Sequence, residues 1–410
     1  MVTTVEVMEF TDLGNPIMYT NPYPRYAYLR EHSPVSRVKA PLLVRGSGYM
    51  LTRFADVETI HSDPRFSTNA IENSDKRMHL WLMPPTLQLL TETMVLKDDP
   101  DHKRLRNLVH KAFTPKFVAT MAADITRITG DLIEELSAKR DVDLVEDFAV
   151  RLPLTVIASM LGVCDADRDQ FHAWGRRMSR AARGGTLGLY RTAATSRRLL
   201  RMFKRLADDR RRNPDDGLIS KLVAANEDGD NLTDREVVAM IYLLLVAGHD
   251  TTANLIGSSV LALVQNPDQL AAVRANPGLL KEGIEELLRY TSPVPCGTTR
   301  IALEDVEIAG TTIPKGSQLL GMIISANRDE RVYENPETLD LTREPNRHLA
   351  FAFGGHYCLG HELARMEGRI ALTALLECFD HWEITVPVSS LSYKPTVPLR
   401  GLTSLPMRVS

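Results

Sequence analysis

Apolar residues recur at i, i+3 and i+4 in one segment after another between about residue 99 and residue 290. The segments are "DHKRLRNLVHKAF", "FVATMAADITRITGDLIEELS", "DFAVRLPLTVIASMLG", "DADRDQFHAWGRRMSRAARG", "RTAATSRRLLRMFKRLADDRRR", a long apolar run over 237–264 and "GLLKEGIEELLRY". That period is the mark of helices with one buried face. The flanks read differently. The first hundred residues mix two short helical patterns, "PYPRYAYLREH" and "ADVETIHSD", with strand-like "VSRVKA" and "GYMLTRF". Residues 66–98 show no clear period although they carry Trp81, Leu82 and Met83 before Pro84-Pro85, which predicts a long lid or binding loop. Residues 292–325 are strand-like, with turn signals at Ala309-Gly310 and Pro314–Gly316. A meandering loop over 327–358, a helix over 359–379 and a strand-like tail follow. No linker-like stretch divides the chain. The expected fold is mostly α with small β-sheets, one helical body spanning 1–410 as a single domain.

One helix breaks its own pattern. Thr233 and Glu236 have capping-box spacing, and Asn266-Pro267 supplies the stop, so a helix of about 33 residues, on the order of 50 Å, is predicted between them. In its middle stand Gly248, His249, Asp250, Thr251 and Thr252. A buried carboxylate is costly unless paired or functional, and a mid-helix glycine costs about 1 kcal/mol against alanine. Two readings are open: a turn that dips into solvent, or a local widening that faces a ligand with proton-carrying groups.

Composition narrows the class. With 49 Lys and Arg against 52 Asp and Glu, the net charge of −3 offers no basic field for nucleic acid. No signal peptide is visible in "MVTTVEVMEFTDLGNP", and no uninterrupted apolar run approaches a membrane span, so a soluble cytoplasmic protein is expected. Cys164, Cys296, Cys358 and Cys378 lie far apart, which argues against a disulfide framework. Each reads first as a small buried residue, Cys378 included, on the apolar face of the last helix.

Cys358 resists that reading. In "FAFGGHYCLGHELARMEGRIAL" it follows Gly354 and Gly355, precedes Gly360, and sits at the start of an amphipathic helix, where helix-end electrostatics predict a lowered thiol pKa. A zinc site of His356, Cys358 and His361 lacks a fourth ligand at customary spacing. The competing reading is one axial thiolate on haem iron. Phe351-x-x-Gly354-x-x-x-Cys358-x-Gly360 resembles the haem-ligand loop of the cytochrome P450 superfamily. "AGHDTT" over 247–252 resembles its oxygen-activation motif, Glu286-x-x-Arg289 its structural lock, and "DLTREPNRHLAF" over 340–351 its meander. The four stand in family order, and the resemblance spans essentially the whole chain. Ala352 stands where glycine is common in the loop and Gly355 where a larger residue often sits.

The resemblance implies haem b as cofactor, with Cys358 as the metal ligand. It implies Asp250 and Thr251 as the proton-handling pair, Ala247 and Gly248 as the close approach to the cofactor, and His249 as a packing or surface residue. His102, Arg106, Arg300 and His356 would hold the haem carboxylates, with Phe351, Gly354 and Gly360 shaping the ligand loop. Glu286, Arg289 and Arg343 would form a salt-bridged lock. Lys103, Arg104 and Arg365 would contribute to a positive surface for an acidic electron donor. By position, Trp81, Leu82, Met83, Val246, Val294, Cys296, Gly297, Leu399 and Arg400 are candidates for the substrate wall, a mostly apolar set that suits a medium-to-large apolar molecule.

The implied activity is insertion of one atom of O2 into a C–H bond or alkene, in secondary-metabolite tailoring. No dinucleotide fingerprint and no iron–sulfur cysteine cluster is visible, so electrons are expected from a ferredoxin and an NAD(P)H-dependent reductase. A monomer that binds neither nucleic acid nor membrane is expected. Peroxide-driven or oxidative-coupling chemistry, and a non-catalytic haem sensor, stand as alternatives.

Overall fold

The structure, a computed structural model, describes residues 11–39, 47–73, 85–182, 193–227, 229–395 and 399–410. Its axis is the helix Asp234–Gln265, which opens on the predicted capping box: Thr233 accepts from the Glu236 backbone while the Glu236 side chain accepts from the Thr233 N–H. The helix runs unbroken through Gly248–Thr252, so the widened turn entertained from the sequence is not what these residues form. By length and composition this helix is apolar enough to cross a membrane, yet 56% of its most apolar window is buried inside the protein. Arg151–Met160, Ala193–Arg212, Leu280–Thr291 and His361–Cys378 pack around it.

The remaining helical patterns fold largely as expected, with local adjustments. The segment starting at Phe117 divides into Pro115–Thr120 and Ala122–Ser137, and Val145–Ala149 forms a wider π turn before Arg151–Met160. Residues 66–98 are less irregular than predicted: Phe66–Ser67 is a strand, and Ala70–Asn73 and Pro85–Leu90 are short helices. Trp81, Leu82 and Met83 lie outside the described residues.

A mixed six-stranded sheet takes strands from distant parts of the chain, in the order Thr11–Asp12, Val35–Lys39, Ser47–Leu51, Gln318–Gly321, Arg300–Ala302 and Phe66–Ser67. Leu319 pairs with Tyr49 in parallel and with Arg300 antiparallel, which places Arg300 beside the middle of the sheet. Helix Phe54–Ser62 packs on this sheet through Phe54, Val57 and Ile60. A smaller antiparallel sheet joins Trp382–Ile384, Pro406–Val409 and Asp141–Asp143. Among the described residues the architecture is mostly helical with small sheets.

Candidate active site

The loop before His361–Cys378 is held by its backbone. Cys358 donates its N–H to the Phe351 carbonyl at 2.9 Å, and the Gly360 N–H faces the sulfur. Gly354 has φ +71, and a Cβ there would lie 2.6 Å from the His61 carbonyl oxygen, so both conformation and space require glycine. Ala352 also adopts a left-handed φ, +61, without being glycine. Phe351 is buried under the Arg365 guanidinium, 4.5 Å from its ring centroid. Gly360 has open space around it.

The expected lowering of the Cys358 pKa is corrected. Burial pushes this thiol up, and the Gly360 N–H, Arg106 and Arg365 offset only part of that rise. The helix end therefore does not make a thiolate unaided; a metal bound to the sulfur would do so. His361 is engaged, its Nδ1 2.6 Å from Arg365 Nη1. Among the described residues no group of three His, Cys, Asp or Glu is arranged to hold a metal ion. Cys164 and Cys378 are exposed, contrary to their reading as core, while Cys296 is buried.

Beside this loop lies a cluster of buried cationic and imidazole groups with unused hydrogen-bonding atoms. Arg300 is 3% exposed, and its Nε and Nη2 have no acceptor. Burial pulls its pKa down to about 10. His102 holds Asp99 through Nδ1 at 3.2 Å and leaves Nε2 buried without a partner. Its ring stacks on His356 with centroids 4.1 Å apart. Burial, then the charges of His102, Arg300 and Arg106, pushes His356 down to about 3. Arg106 reaches the Tyr357 carbonyl at 2.8 Å. The neighbouring carboxylate, Asp98, is occupied by the Thr68 N–H at 2.8 Å and by the Ser67 and Thr68 hydroxyls. Buried donors without acceptors cost about 1–3 kcal/mol each, so a site that keeps them suits an anion from outside the chain. The two carboxylates of haem fit this donor set.

On the central helix, Ala247 is exposed and Val246, Gly248 and Thr251 are half-buried, although residues on either side are buried. That window marks open space against the middle of a core helix. Thr251 donates its hydroxyl to the Ala247 carbonyl at 2.7 Å. Gly248 also has a packing role. A Cβ there would lie 2.9 Å from Ile157 Cδ1, so the missing side chain admits helix Arg151–Met160. Asp250 is buried and accepts from Lys394 Nζ at 3.0 Å, and Lys394 also donates to Asn254 Oδ1 at 3.2 Å. His249 is 2% exposed, with Nδ1 donating to the Leu245 carbonyl at 2.7 Å and Nε2 3.4 Å from Asp250. It is a core residue, which selects packing from the two expectations for it.

The Glu286 carboxylate and the Arg289 guanidinium at the centre of the lock are fully engaged. Glu286 binds Arg289 at 2.7 Å and Arg343 at 3.2 Å, and also accepts from Asn346 and from the Asp340 N–H, both at 3.0 Å. Arg289 is fully buried and donates further to the carbonyls of Asn327, Pro336 and Thr338. Asn346 and these carbonyls are additions that no local spacing announces.

Several surface and wall expectations change. Arg104 pairs with Asp230 and Glu236, and Arg365 with Glu285, so neither offers a free charge to a donor protein; Lys103 is exposed. Cys296 packs with Leu13, Tyr26, Leu29 and Met50 in a core cluster. Gly297 faces His61, whose ring fills the space a side chain would need. Arg400 directs its guanidinium to the Tyr19 and Thr20 carbonyls and over the Tyr393 ring at 4.0 Å, a tie to the N-terminal segment. Leu399 lines a small cleft with Tyr26, Pro295 and Met322. Val294 is half-buried.

A helical body around one long helix, with a lone cysteine loop beside unsatisfied buried donors, defines a haem-thiolate protein. The comparisons agree. A family profile described as Cytochrome P450 matches residues 191–391. The polyketide biosynthesis cytochrome P450 PksS of Bacillus subtilis is 38% identical over 399 residues, covering 95% of this chain and 96% of that protein. The vitamin D(3) 25-hydroxylase of Pseudonocardia autotrophica is 37% identical over 410 residues, covering 99% and 98%. The solved structure of PksS superposes with a TM-score of 0.88 at 36% identity, covering 97% of this chain and 99% of that one. The chain belongs to the cytochrome P450 family. It is a P450 monooxygenase with haem b as cofactor, acting on an apolar small molecule with O2 and electrons from redox partners.

Proposed function

We propose that this single-domain monooxygenase hydroxylates or epoxidises a medium-to-large apolar molecule in secondary-metabolite tailoring, as a cytoplasmic monomer supplied by a ferredoxin and an NAD(P)H-dependent reductase. The observation that carries the reading is the accessible window of Val246, Ala247, Gly248 and Thr251 on an otherwise buried helix. The names of PksS and the vitamin D(3) 25-hydroxylase favour a polyketide-like or vitamin D-like skeleton. Nothing in the relatives supports the peroxide-driven, coupling or sensor alternatives.

In this reading Cys358 ligates the haem iron, and Phe351, Gly354 and Gly360 hold its loop in place. His102, Arg106, Arg300 and His356 bind the haem carboxylates, each charge-assisted bond contributing about 1.5–3 kcal/mol. The bound haem supplies dioxygen activation, with thiolate electron density favouring O–O cleavage. Thr251, its own proton given to the Ala247 carbonyl, turns oxygen lone pairs toward the open space and orders the donors that bring protons there. Asp250 is the acid behind it, held by Lys394. Glu286, Arg289 and Arg343 keep the meander fixed behind the ligand loop.

Reduced protein under carbon monoxide should show the strongly red-shifted Soret band of thiolate ligation, and Cys358→Ser should abolish it. In Thr251→Ala, NAD(P)H consumption should continue while product yield falls and peroxide or water accumulates. A histidine-type spectrum, or unchanged coupling, would overturn the assignment.

A further inference from the structure

Glu285 has no part in the roles assigned above, although it stands beside Glu286 on helix Leu280–Thr291. Its carboxylate holds two side chains that bracket the cysteine loop in sequence. One oxygen accepts from Arg365 Nε at 2.6 Å, the other from Arg365 Nη2 at 2.8 Å and from His348 Nε2 at 3.0 Å. The imidazole is oriented for this role. His348 Nδ1 accepts the Ala350 N–H at 3.2 Å, so Nε2 carries the proton and donates it to Glu285.

Between these two partners the chain passes through Phe351 and Cys358. The Arg365 guanidinium lies over the Phe351 ring, 4.5 Å from its centroid, and the His348 ring stands 6.0 Å from the same centroid. The remaining edge of Arg365 meets His361 Nδ1 at 2.6 Å, with Glu362 at 3.6 Å. Phe351 in turn gives its carbonyl to the Cys358 N–H at 2.9 Å. The loop also carries Gly354, Gly355 and Gly360, and glycines leave a chain freedom that contacts elsewhere must remove. An exposed single ion pair would do little of this. The Glu285 pair is half-buried, bidentate and shared with a third group, the geometry that fixes orientation.

We propose that Glu285 is a positioning residue for the cysteine loop. It closes the loop at both ends, through His348 before it and Arg365 after it, and so fixes the Phe351 carbonyl that receives the Cys358 N–H. The inference rests on the haem reading above, in which this loop presents the sulfur. Two adjacent carboxylates on one helix then have separate duties: Glu286 holds Arg343 and the Asp340 N–H, and Glu285 holds the ligand loop.

The test uses the haem-loaded protein, reduced under carbon monoxide, in urea below its unfolding transition. There the red-shifted Soret band reports thiolate ligation and an unshifted band reports its loss. Glu285→Leu should convert from the first band to the second about tenfold faster than the parent, with helix content by circular dichroism unchanged. Glu285→Gln, which keeps one acceptor oxygen, should fall between the two. Adding Glu285→Leu to a His348→Leu/Arg365→Leu protein should speed conversion no further, because Glu285 acts through those two groups. A leucine variant that converts at the parental rate overturns the proposal. So does conversion that only keeps pace with loss of helix, or effects that add in the combined variant. Should the leucine variant not fold, the glutamine variant carries the test, and a parental rate there overturns the proposal. If the parent itself lacks the thiolate band, the haem reading falls; a normal parent with indifferent variants removes only the role of Glu285.

Discussion

The Glu286 lock and the Arg300 cluster both bury charge, and they do so in opposite ways. In the lock, the charged edges meet: Glu286 receives Arg289, Arg343, Asn346 and the Asp340 N–H, and Arg289 adds three carbonyls. Around Arg300, two guanidinium nitrogens and the Nε2 atoms of His102 and His61 have no partner. A satisfied network is scaffold, since nothing remains for a ligand to bind. A cluster of unused donors beside the cysteine loop suits a binding site, since an anionic ligand would relieve the cost the chain retains there.

That contrast can be broken most directly at the lock. Glu286→Gln leaves Arg289 buried with a weakened partner and should cost about 3–5 kcal/mol, read as a lower urea midpoint and a poor yield of haem-loaded protein. A stable, fully loaded variant would end the scaffold reading.

Arg300→Leu should sort the two regions by sign. It removes a buried cation with unpaired nitrogens, so stability of the protein stripped of haem should hold or rise by about 1–2 kcal/mol, while haem loss accelerates at least tenfold. Parallel losses of stability and haem affinity would place Arg300 with the lock.

Acid titration sharpens the comparison. His61 is pushed down to about 4 by burial and Arg300, so the unfolded chain takes up its proton first, and stability falls as pH drops from about 6.5 to 4. Glu285 is opposed by burial but drawn down to about 2 by hydrogen bonds from His348 and Arg365. The stability it contributes is present above about 4.5 and lost toward pH 2. Each term is on the order of 2–3 kcal/mol. Urea midpoints of the haem-free protein should show a smaller upper step in His61→Leu, the His356 share remaining, and a smaller lower step in Glu285→Gln.

The smallest effect belongs to the ligand loop. Ala352 holds φ +61, where a Cβ is strained, so Ala352→Gly should stabilise by about 1 kcal/mol in thermal unfolding. A destabilised variant would mean the methyl group packs in compensation.

Much of this was legible in order along the chain. The central helix could be bounded from Thr233, Glu236 and Asn266-Pro267 because caps and stops act over a few residues. Glu286 and Arg289 could be paired because i, i+3 neighbours share a helix face, and His102 and Arg106 were placed together by i, i+4 spacing for the same reason. The motif around Cys358 announced a loop with close backbone approach, and Gly354 has the conformation such a loop needs.

What could not be read locally was which group each polar residue meets. Lys394 reaches Asp250 from 144 positions away, Arg104 is neutralised by Asp230 and Glu236, and Gly248 makes room for Ile157. Sequence periodicity specified helices, caps and the cysteine loop, because each depends on neighbours within a turn or two. Tertiary packing alone decided that His61 lodges among Gly297, Gly321 and Gly354, and that Arg300 stays unpaired while Arg289 is satisfied. Burial and partner choice are properties of chain segments brought together in space, and a residue's own neighbours in sequence do not encode them.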